Sequence, residues 1–359
     1  FGDGRRQTLI ERWDGTAWTI VDSPDTSRTQ HNSLTDVTCV SASDCWAVGY
    51  YSNGGVNRTL IERWDGTSWA IVDSPNNSTS AHPNILTAVT CVAASDCWAV
   101  GYYNNGAANQ TLIEHWDGAS WTIVASPNSS TQANALLGVT CVSASDCWAV
   151  GYYYSGTDGR TLIERWDGAS WAIVDSPNTP SASPNALADV ACTTASDCWA
   201  VGYAFTGNRW QTLIERWEGT AWALVDSPDA SSTQDNGLAA VTCVSGSDCW
   251  AVGYYDNGSV NRTLIERWDG TSWAIVDSPN TTSTQDNTLA AVTCVSESEC
   301  WAVGFYGGDQ TLTARYAESA RSDPRCEHRP RSCTTTAPKE RSIASSDTPR
   351  RIRAGGSLN

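Results

Sequence analysis

Cysteine is the residue type whose spacing most directly suggests chemistry in this chain. Twelve of the fourteen cysteines form pairs whose members are six residues apart, as Cys39 and Cys45 flank Val-Ser-Ala-Ser-Asp. In a tight hairpin, such positions bring cross-strand Cβ atoms within bonding distance. The spacing therefore predicts six local disulfides: Cys39–Cys45, Cys91–Cys97, Cys141–Cys147, Cys192–Cys198, Cys243–Cys249 and Cys294–Cys300.

Zinc binding is the competing chemistry for paired cysteines. A structural zinc site needs four ligands gathered together, but each pair has no local histidine. The four histidines (His31, His82, His115 and His328) fall at unrelated positions of the repeat. We therefore expect no metal and no cofactor. Because such disulfides persist in oxidising surroundings, the predicted location is secreted or at the cell surface.

Tyrosine is the second residue type whose positions in the repeat suggest a function. Eleven of the twelve tyrosines lie just after a Cys-Trp-Ala-Val-Gly motif, beside loops rich in Asn, Gly and Asp. Amphipathic rings and polar groups of this kind suit sugar binding, and packing between repeats is the competing interpretation. In each pair, such as Tyr50 and Tyr51, we expect the second ring to contact ligand and the first to fill space. The predicted ligand contacts are Tyr51, Tyr103, Tyr153, Tyr154, Tyr255, Tyr306, Asn53, Asn104, Asp256 and Trp210.

The repeated charged residues do not indicate a catalytic site. Glu62-Arg63 recurs in most repeats, with histidine in place of the arginine at His115, so a site built on it would be present many times or not at all. We expect ion pairs between adjacent repeats from these residues, and turn capping from Asp44 and its copies. A glycosidase needs a pair of carboxylates, and the repeats are too alike to show one that is unique. The sequence therefore predicts no enzymatic activity.

The elements that must position these residues repeat with a period of about 51. The motif Cys-Trp-Ala-Val-Gly recurs six times, with its tryptophan at Trp46, Trp98, Trp148, Trp199, Trp250 and Trp301. The unit around Trp46 contains four strand-like runs, 34–40, 45–51, 59–64 and 68–72, with Asp-Gly turn signals between the last two. A period near 50 with four short strands is typical of an all-β fold, the β-propeller of four-stranded antiparallel blades.

Counting strands tests how the ring closes. The chain starts with two strands of a unit, continues through five full units and ends with three strands. We predict six blades, with the N-terminal strands pairing with the C-terminal blade in place of 311–316, or seven or more if the chain is a fragment. Residues 1–316 form the predicted propeller, and residues 317–359 form a disordered tail that lacks Trp, Tyr and Phe.

Charge excludes some partners. Residues 1–316 carry 13 Arg, no Lys and 34 acidic side chains, whereas 317–359 carry 9 basic and 5 acidic ones. Because phosphate contacts need clustered basic residues, we expect no nucleic-acid partner. No apolar run approaches the length of a membrane helix, so we expect no membrane insertion. A monomer that binds a glycan or an extracellular protein is the predicted state.

The repeat resembles known propeller families in several motifs. Gly49-Tyr50 and Trp69 resemble the kelch repeat and the galactose-oxidase propeller, although Val48 stands where kelch repeats have a second glycine. The paired Ser-x-Ser-Asp-Cys-Trp-Ala-Val-Gly and Leu-Ile-Glu-Arg-Trp-Asp-Gly motifs resemble secreted bacterial propellers with near-identical blades. Asp-Gly-Thr-Ser-Trp is similar to the Asp-box hairpin of sialidases. These resemblances imply the fold and no catalytic residue.

Three functions are compatible with these patterns. The favoured one is a secreted, non-enzymatic binding module whose glycan or protein ligand lies on the face of the B–C and D–A loops, where the repeats vary. A glycoside-processing or oxidase-type enzyme is one alternative. A purely structural or adhesive surface protein is the other, because propellers carry unrelated functions.

Overall fold

A computed structural model describes residues 6–77, 81–179, 184–308 and 310–317 of the chain. Twenty-five β-strands and no helix occur in this part, which confirms the all-β class. Apart from Ala317, the tail that was predicted to be disordered lies outside the described residues. Within them, no helix is long and apolar enough to cross a membrane.

The strands follow one another along the chain in repeating sets. The N-terminal hairpin is β1 (Ile10–Trp13) and β2 (Trp18–Val21). Blades one and two contain β3 (Asn32–Ser41), β4 (Asp44–Asn53), β5 (Val56–Trp64), β6 (Trp69–Val72), β7 (Asn84–Ala93), β8 (Asp96–Asn104), β9 (Asn109–Trp116) and β10 (Trp121–Val124). Blades three and four contain β11 (Asn134–Ser143), β12 (Asp146–Ser155), β13 (Asp158–Trp166), β14 (Trp171–Ile173), β15 (Asn185–Thr194), β16 (Asp197–Phe205), β17 (Trp210–Trp217) and β18 (Trp222–Val225). Blades five and six contain β19 (Asn236–Ser245), β20 (Asp248–Asp256), β21 (Asn261–Trp268), β22 (Trp273–Ile275), β23 (Asn287–Ser296), β24 (Glu299–Tyr306) and β25 (Gln310–Ala317).

Each blade is an antiparallel sheet whose strands pair in sequence order, and we name them A to D. The A strands of adjacent blades contact one another, so they surround the centre of the ring while the D strands form its rim. The first five blades have all four strands. The predicted propeller of four-stranded antiparallel blades is therefore confirmed.

The B strands are buried on both faces, as their sequence predicts. Trp46 and Val48 face the next blade, whereas Cys45 and Ala47 alternate with them, and all four are at most 7% exposed. Cys45 lies directly opposite Cys39 on strand A, with 3.9 Å between their Cα atoms. This pairing recurs in every blade, and all six predicted disulfides are present.

The two ends of the ring meet differently from the prediction. We expected the N-terminal strands to pair with the sixth blade, but β25 pairs with β24 along its whole length, and β1 pairs with β2 alone. A short loop that includes Gly307 and Gly308 joins β24 to β25. Closing this hairpin costs far less chain entropy than pairing with a strand from the opposite end of the chain.

The N-terminal hairpin packs on the sixth blade through side chains instead. Ring centroids of Trp13 and Trp18 lie 4.9 and 5.6 Å from that of Trp301. Trp46 makes the same pair of contacts with two tryptophans of the second blade. The hairpin therefore takes the place that the C and D strands of a following blade would take.

The hydrophobic core consists of separate clusters, one at each boundary between blades. Between blades one and two, Trp46, Val48 and Ile61 pack against Leu86 and Leu112, and each is at most 1% exposed. Four further clusters lie at the following boundaries, and the one between blades five and six contains no tryptophan. Each blade is thus buried by its neighbours alone, as in other repeat proteins.

The Glu-Arg pairs make different contacts from those that we predicted. Arg63 donates to both carboxylate oxygens of Asp44 at 2.9 and 3.1 Å, and its guanidinium lies 4.8 Å from the ring centroid of Trp46. On the other face, Glu62 accepts a hydrogen bond from Ser23 at 2.8 Å. The expected Glu-Arg ion pairs between blades are therefore wrong. Asp44 holds the arginine of its own blade, and its carboxylate oxygens bond to that guanidinium instead of capping the A–B turn.

Candidate functional site

The A–B and C–D turns close one end of the ring. In the first blade, Asp65 Oδ1 accepts hydrogen bonds from the backbone N–H groups of Thr67 and Ser68 and from the Thr67 hydroxyl, at 2.6 to 2.9 Å. These bonds lower the pKa of Asp65 to about 2. Gly66 has a φ of +97°, and a Cβ there would lie 2.9 Å from Cβ of Ser43 in the A–B turn. The two turns pack together and leave little room for a ligand.

The opposite end of the ring carries the segments that vary between blades, and we call it the loop face. Its B–C loops are 54–55, 105–108, 156–157, 206–209 and 257–260. Its D–A connections, in their described parts, are 22–31, 73–77, 81–83, 125–133, 174–179, 184, 226–235 and 276–286.

A buried asparagine at the start of each A strand fixes the D–A connection. Asn134 accepts a hydrogen bond from the Ser129 N–H at 2.9 Å and donates to the carbonyls of Ser130 and Gln132 at 2.9 and 2.7 Å. Its equivalents are also at most 1% exposed: Asn32, Asn84, Asn185, Asn236 and Asn287. The sequence analysis missed this role, although the asparagine recurs once in every repeat.

The B–C loops are shaped by their own polar side chains. Asn104 Oδ1 accepts the N–H of Gly106, and Asp256 Oδ1 accepts the N–H of Gly258, at 2.8 and 2.7 Å. Both residues were predicted to contact ligand, and one oxygen of each is used within its own loop. Asn53 is exposed at the end of β4. The loops are therefore held in defined shapes.

The first tyrosine of each pair forms a ring of phenols around the loop face. These residues are half-buried, and we call them the tyrosine ring: Tyr50, Tyr102, Tyr152, Tyr203 and Tyr254. Burial raises the pKa of Tyr152 to about 12, and the neighbouring phenols of Tyr102, Tyr154 and Tyr203 add to the shift. The ring of Tyr154 meets that of Tyr152 edge to face at 5.8 Å. The phenols therefore stay protonated and remain hydrogen-bond donors.

The second tyrosine of each pair packs against the core. Tyr103, Tyr153, Tyr255 and Tyr306 each lie against a cluster between two blades, on the side of the preceding blade. Tyr51 is half-buried at the corresponding place. We expected the first tyrosine of each pair to fill space and the second to contact ligand, and these contacts do not match that division. The second tyrosine packs against the core because it shares its face with the buried cysteine and alanine of strand B.

Blade four differs from the others on the loop face. Trp210 begins its C strand where other blades have Asn57, Asn109 or Asn261, and its ring centroid lies 5.0 Å from those of Tyr203 and Phe205. The backbone N–H of Trp210 donates to Asp235 Oδ1 at 2.8 Å, in the connection to blade five. The three rings therefore form an aromatic cluster at the boundary between blades four and five.

Two open clefts of about 480 Å³ lie on the loop face, each beside a D–A connection. One is lined by Thr29, Gln30, His31, Ser52, Gly54 and Gly55. The other is lined by Ala107, Ala108, Asn109, Thr131, Gln132, Ala133, Tyr154 and Gly156, so it spans the boundary between blades two and three. Their walls are mainly hydroxyl, amide and backbone groups, which suit a polar, uncharged ligand.

Two carboxylates in the innermost strands break the symmetry of the repeat. Asp36 accepts the N–H groups of Val37 and, in the next blade, Val89, both at 2.8 Å. Asp189 makes the same contacts with Val190 and Val241 at 2.8 and 3.0 Å. Burial raises the pKa values of Asp36 and Asp189 to about 6 and about 7, and the charge of Asp36 contributes to the second shift. The other blades have Ala88, Gly138, Ala240 and Ala291 at this position. Sequence analysis missed the pair, although alignment of the A strands reveals it.

Comparisons with known proteins identify the scaffold. No protein-family model and no curated protein matches the chain. Among solved structures, it is similar to a GH74 xyloglucanase from Xanthomonas campestris, with a TM-score of 0.52 and 14% identity over 79% of this chain and 45% of the enzyme. It is also similar to a PL25 ulvan lyase (TM-score 0.48, 10% identity, covering 79% and 78%) and to a Hadza microbial sialidase (TM-score 0.46, 9% identity, covering 75% and 62%).

The first of these similarities corrects one expectation. The chain was predicted to have no enzymatic activity, but a solved structure that it matches with a TM-score of 0.52 is a xyloglucanase. The chain spans less than half of that enzyme's length, and the low identity shows a shared fold alone. The scaffold is thus one on which catalysis occurs, and the likeness of the blades does not exclude it. The kelch-like features gain no support beyond the shared propeller.

Proposed function

We propose that the protein recognises a neutral carbohydrate polymer on the loop face. The observation that carries this proposal is the tyrosine ring, whose member Tyr152 contacts Tyr154 in the wall of the cleft between blades two and three. Aromatic rings stack on the apolar faces of sugars, while phenol, amide and backbone groups bond to sugar hydroxyls. The clefts supply such groups in Gln30, Asn109 and Gln132.

Charge favours a neutral sugar over an acidic one. The repeats carry 34 acidic side chains against 13 arginines and no lysine. Several of these arginines are engaged, as Arg63 is by Asp44 and Arg165 by Asp146. A uronate or sulfated polymer would approach a surface of like charge and meet few free cations. A neutral polymer meets no such barrier.

Repetition favours a polymer over a single sugar. Equivalent aromatic and polar groups recur at successive blades, so an extended chain can contact several of them at once. Each contact then raises the effective concentration of the next. We further propose that the protein acts as a monomer outside the cytoplasm, because its six disulfides are of the kind that persist in oxidising compartments.

Affinity electrophoresis tests the proposal. The oxidised protein is run through gels that contain xyloglucan, mixed-linkage β-glucan or galactomannan, with polygalacturonate as the acidic control. We expect retardation by at least one neutral polymer and none by polygalacturonate. If no neutral polymer retards the protein at any concentration, the proposal is wrong; retardation by polygalacturonate alone contradicts the charge argument.

A second candidate function, cleavage of a glycosidic bond, is favoured by the carboxylate pair in the innermost strands. The raised pKa values of Asp36 and Asp189, about 6 and about 7, allow one group to carry a proton while the other is ionised. An acid and a base of this kind are the groups that a glycosidase uses. The backbone N–H groups that both carboxylates accept hold them in fixed orientations.

Release of reducing ends from the same neutral polymers tests this second function. Asp36→Asn and Asp189→Asn should each lower the rate at least a hundredfold if the pair is catalytic. Asp158→Asn, at an exposed site on strand C of blade three, is the matched control and should leave the rate unchanged. Absence of any release by the unmodified protein, or equal rates in all three variants, excludes a catalytic role for the pair.

A further inference from the structure

We propose that the boundary between blades four and five is the dominant subsite for one pyranose ring of the polymer, with Trp210 as its stacking surface. The proposal rests on the function proposed above and names the place where most of the affinity arises. Blade four departs from the repeat at this boundary, and the other blades show which residues the fold alone requires.

Blade four carries its distinctive aromatic residues on the loop face and not at the core position. At the position where other blades pack a second tyrosine against the core, blade four has Ala204, which is 2% exposed. Its aromatic groups stand instead at the tip of the B–C hairpin, where Phe205 and Trp210 face each other across the strands. Packing does not require a tryptophan there, since Asn109 and Asn261 begin the C strands of blades two and five.

Gly237 lies beside this aromatic cluster, at the second position of β19, where other blades carry Ser33, Ile85, Ala135, Ala186 or Thr288. Gly237 is buried, and a Cβ there would lie 3.4 Å from Cε1 of Tyr254 and 3.8 Å from Cβ of Tyr203, both ordinary contact distances. The side chains of Tyr203 and Tyr254 therefore pack directly on Gly237, and a long side chain at this position would displace them from beside Trp210.

Polar groups around the aromatic cluster match the hydroxyls of a sugar. Asp235 and Asp256 lie close enough to Tyr254 that their charges help to raise the pKa of its phenol, after burial itself. Carboxylates accept hydrogen bonds from hydroxyl groups, and the protonated phenol donates one. Arg209 makes no ion pair within the described residues, so its terminal nitrogens are further donors. An aromatic platform with donors and acceptors at its edge is suited to a pyranose ring.

Two substitutions test the subsite without removing a residue that the fold needs. Trp210→Asn installs the residue found in blades one, two and five, and Gly237→Ile introduces the side chain found in blade two against Tyr203 and Tyr254. The control is Asn261→Ala, at the position equivalent to Trp210 in blade five. Affinities for xyloglucan, mixed-linkage β-glucan and galactomannan are measured by titration calorimetry, and folding is checked by thermal unfolding.

We expect Trp210→Asn and Gly237→Ile each to weaken binding of the retained polymer about tenfold or more, as the loss of a stacking contact implies. Asn261→Ala should change affinity less than twofold. If the unmodified protein binds and both test variants bind equally well, the subsite is wrong while the proposed function stands. If the unmodified protein binds none of the three polymers, both proposals are wrong. Should Trp210→Asn fail to fold, Gly237→Ile alone decides the question.

Discussion

Ser74 donates a hydrogen bond across a blade boundary to Glu114, with 2.9 and 3.2 Å between its Oγ and the two carboxylate oxygens. Glu114 is fully buried, and burial raises its pKa to about 8 even though the serine bond acts in the opposite direction. The same pairing joins Ser126 to Glu164 and Ser176 to Glu215. Carboxyls that keep their protons at neutral pH are thus built into successive boundaries.

These carboxyls make the stability of the ring depend on pH. The folded-state pKa values of Glu114, Glu164, Glu215 and Glu266 are about 8, against an ordinary value of 4.5. Between these pH values the folded state holds more protons than the unfolded state, so the free energy of unfolding falls as pH rises. The stabilisation from each protonated carboxyl is fully present below pH 4.5 and is lost as pH rises through about 8. Thermal unfolding should show a midpoint that decreases steadily from pH 5 to pH 8.

Replacing one of these carboxyls gives the control for the pH effect. Glu114→Gln cannot ionise, so its stability should decline less steeply with pH than that of the unmodified protein. Denaturation by guanidinium at pH 5, 6.5 and 8 measures the difference. Identical slopes for the two proteins would show that Glu114 is already ionised in the folded ring.

His115 stands where the other blades have an arginine on strand C. It bonds Asp96 through one atom at 2.8 Å, whereas Arg165 reaches both oxygens of Asp146. We expect His115→Arg to raise the free energy of unfolding by about 0.5–1 kcal/mol, through a second hydrogen bond and a cation–π contact with Trp98.

The reverse substitution is the matched test of this contact. Arg165→His should destabilise the protein by a similar amount when both variants are compared by guanidinium denaturation. A destabilised His115→Arg variant would mean that blade two has repacked around the smaller ring, and the prediction would fail.

Each disulfide should add to stability individually. Replacing Cys141 and Cys147 by alanine opens one short loop and is expected to cost about 2 kcal/mol by the chain-entropy estimate. Alkylation followed by intact-mass measurement, with and without reduction, shows whether the twelve cysteines of the repeats are blocked in the native protein. Twelve reactive thiols before reduction would contradict both the pairing and the proposed location.

Asp36 should contribute to stability as well as lying in the candidate carboxylate pair. In Asp36→Asn an amide nitrogen replaces one carboxylate oxygen. The N–H group of either Val37 or Val89 therefore loses its acceptor. We expect a loss of about 1–3 kcal/mol in the free energy of unfolding. Asp158→Asn, which removes a 3.8 Å pair between exposed side chains, should change it by less than about 0.5 kcal/mol. Equal effects of the two substitutions would refute a bracing role for Asp36.

The fold was predictable from the sequence because its determinants are local and repeated. Strand alternation around Trp46, the turn at Asp65-Gly66 and the spacing of Cys39 and Cys45 each depend on a few neighbouring residues. The ion-pair partner of a charged side chain is harder to predict when every blade carries the same motif. Arg63 was assigned to a neighbouring blade although it binds Asp44 in its own, because the sequence alone does not give the register of B against C.

The candidate site was only partly predictable, for a related reason. Periodicity placed the tyrosines on one face, but which of Tyr50 and Tyr51 packs against the core depends on how the blades face each other. Asp36 and Asp189 were missed because they are separated by three blades in sequence and are related only through the arrangement of A strands around the centre of the ring. Trp210 was noticed as an irregularity, whereas the contact of Gly237 with Tyr203 and Tyr254 required coordinates.

Because each blade contacts only its two neighbours, the chain can gain or lose whole blades during evolution. A unit of about 51 residues carries its own disulfide, its own turn contacts and both halves of a boundary. Unequal recombination between near-identical coding segments would therefore deliver or remove a unit that its new neighbours already fit. Once the copies exist, a single one can diverge, as blade four has done, while the remainder preserve the architecture.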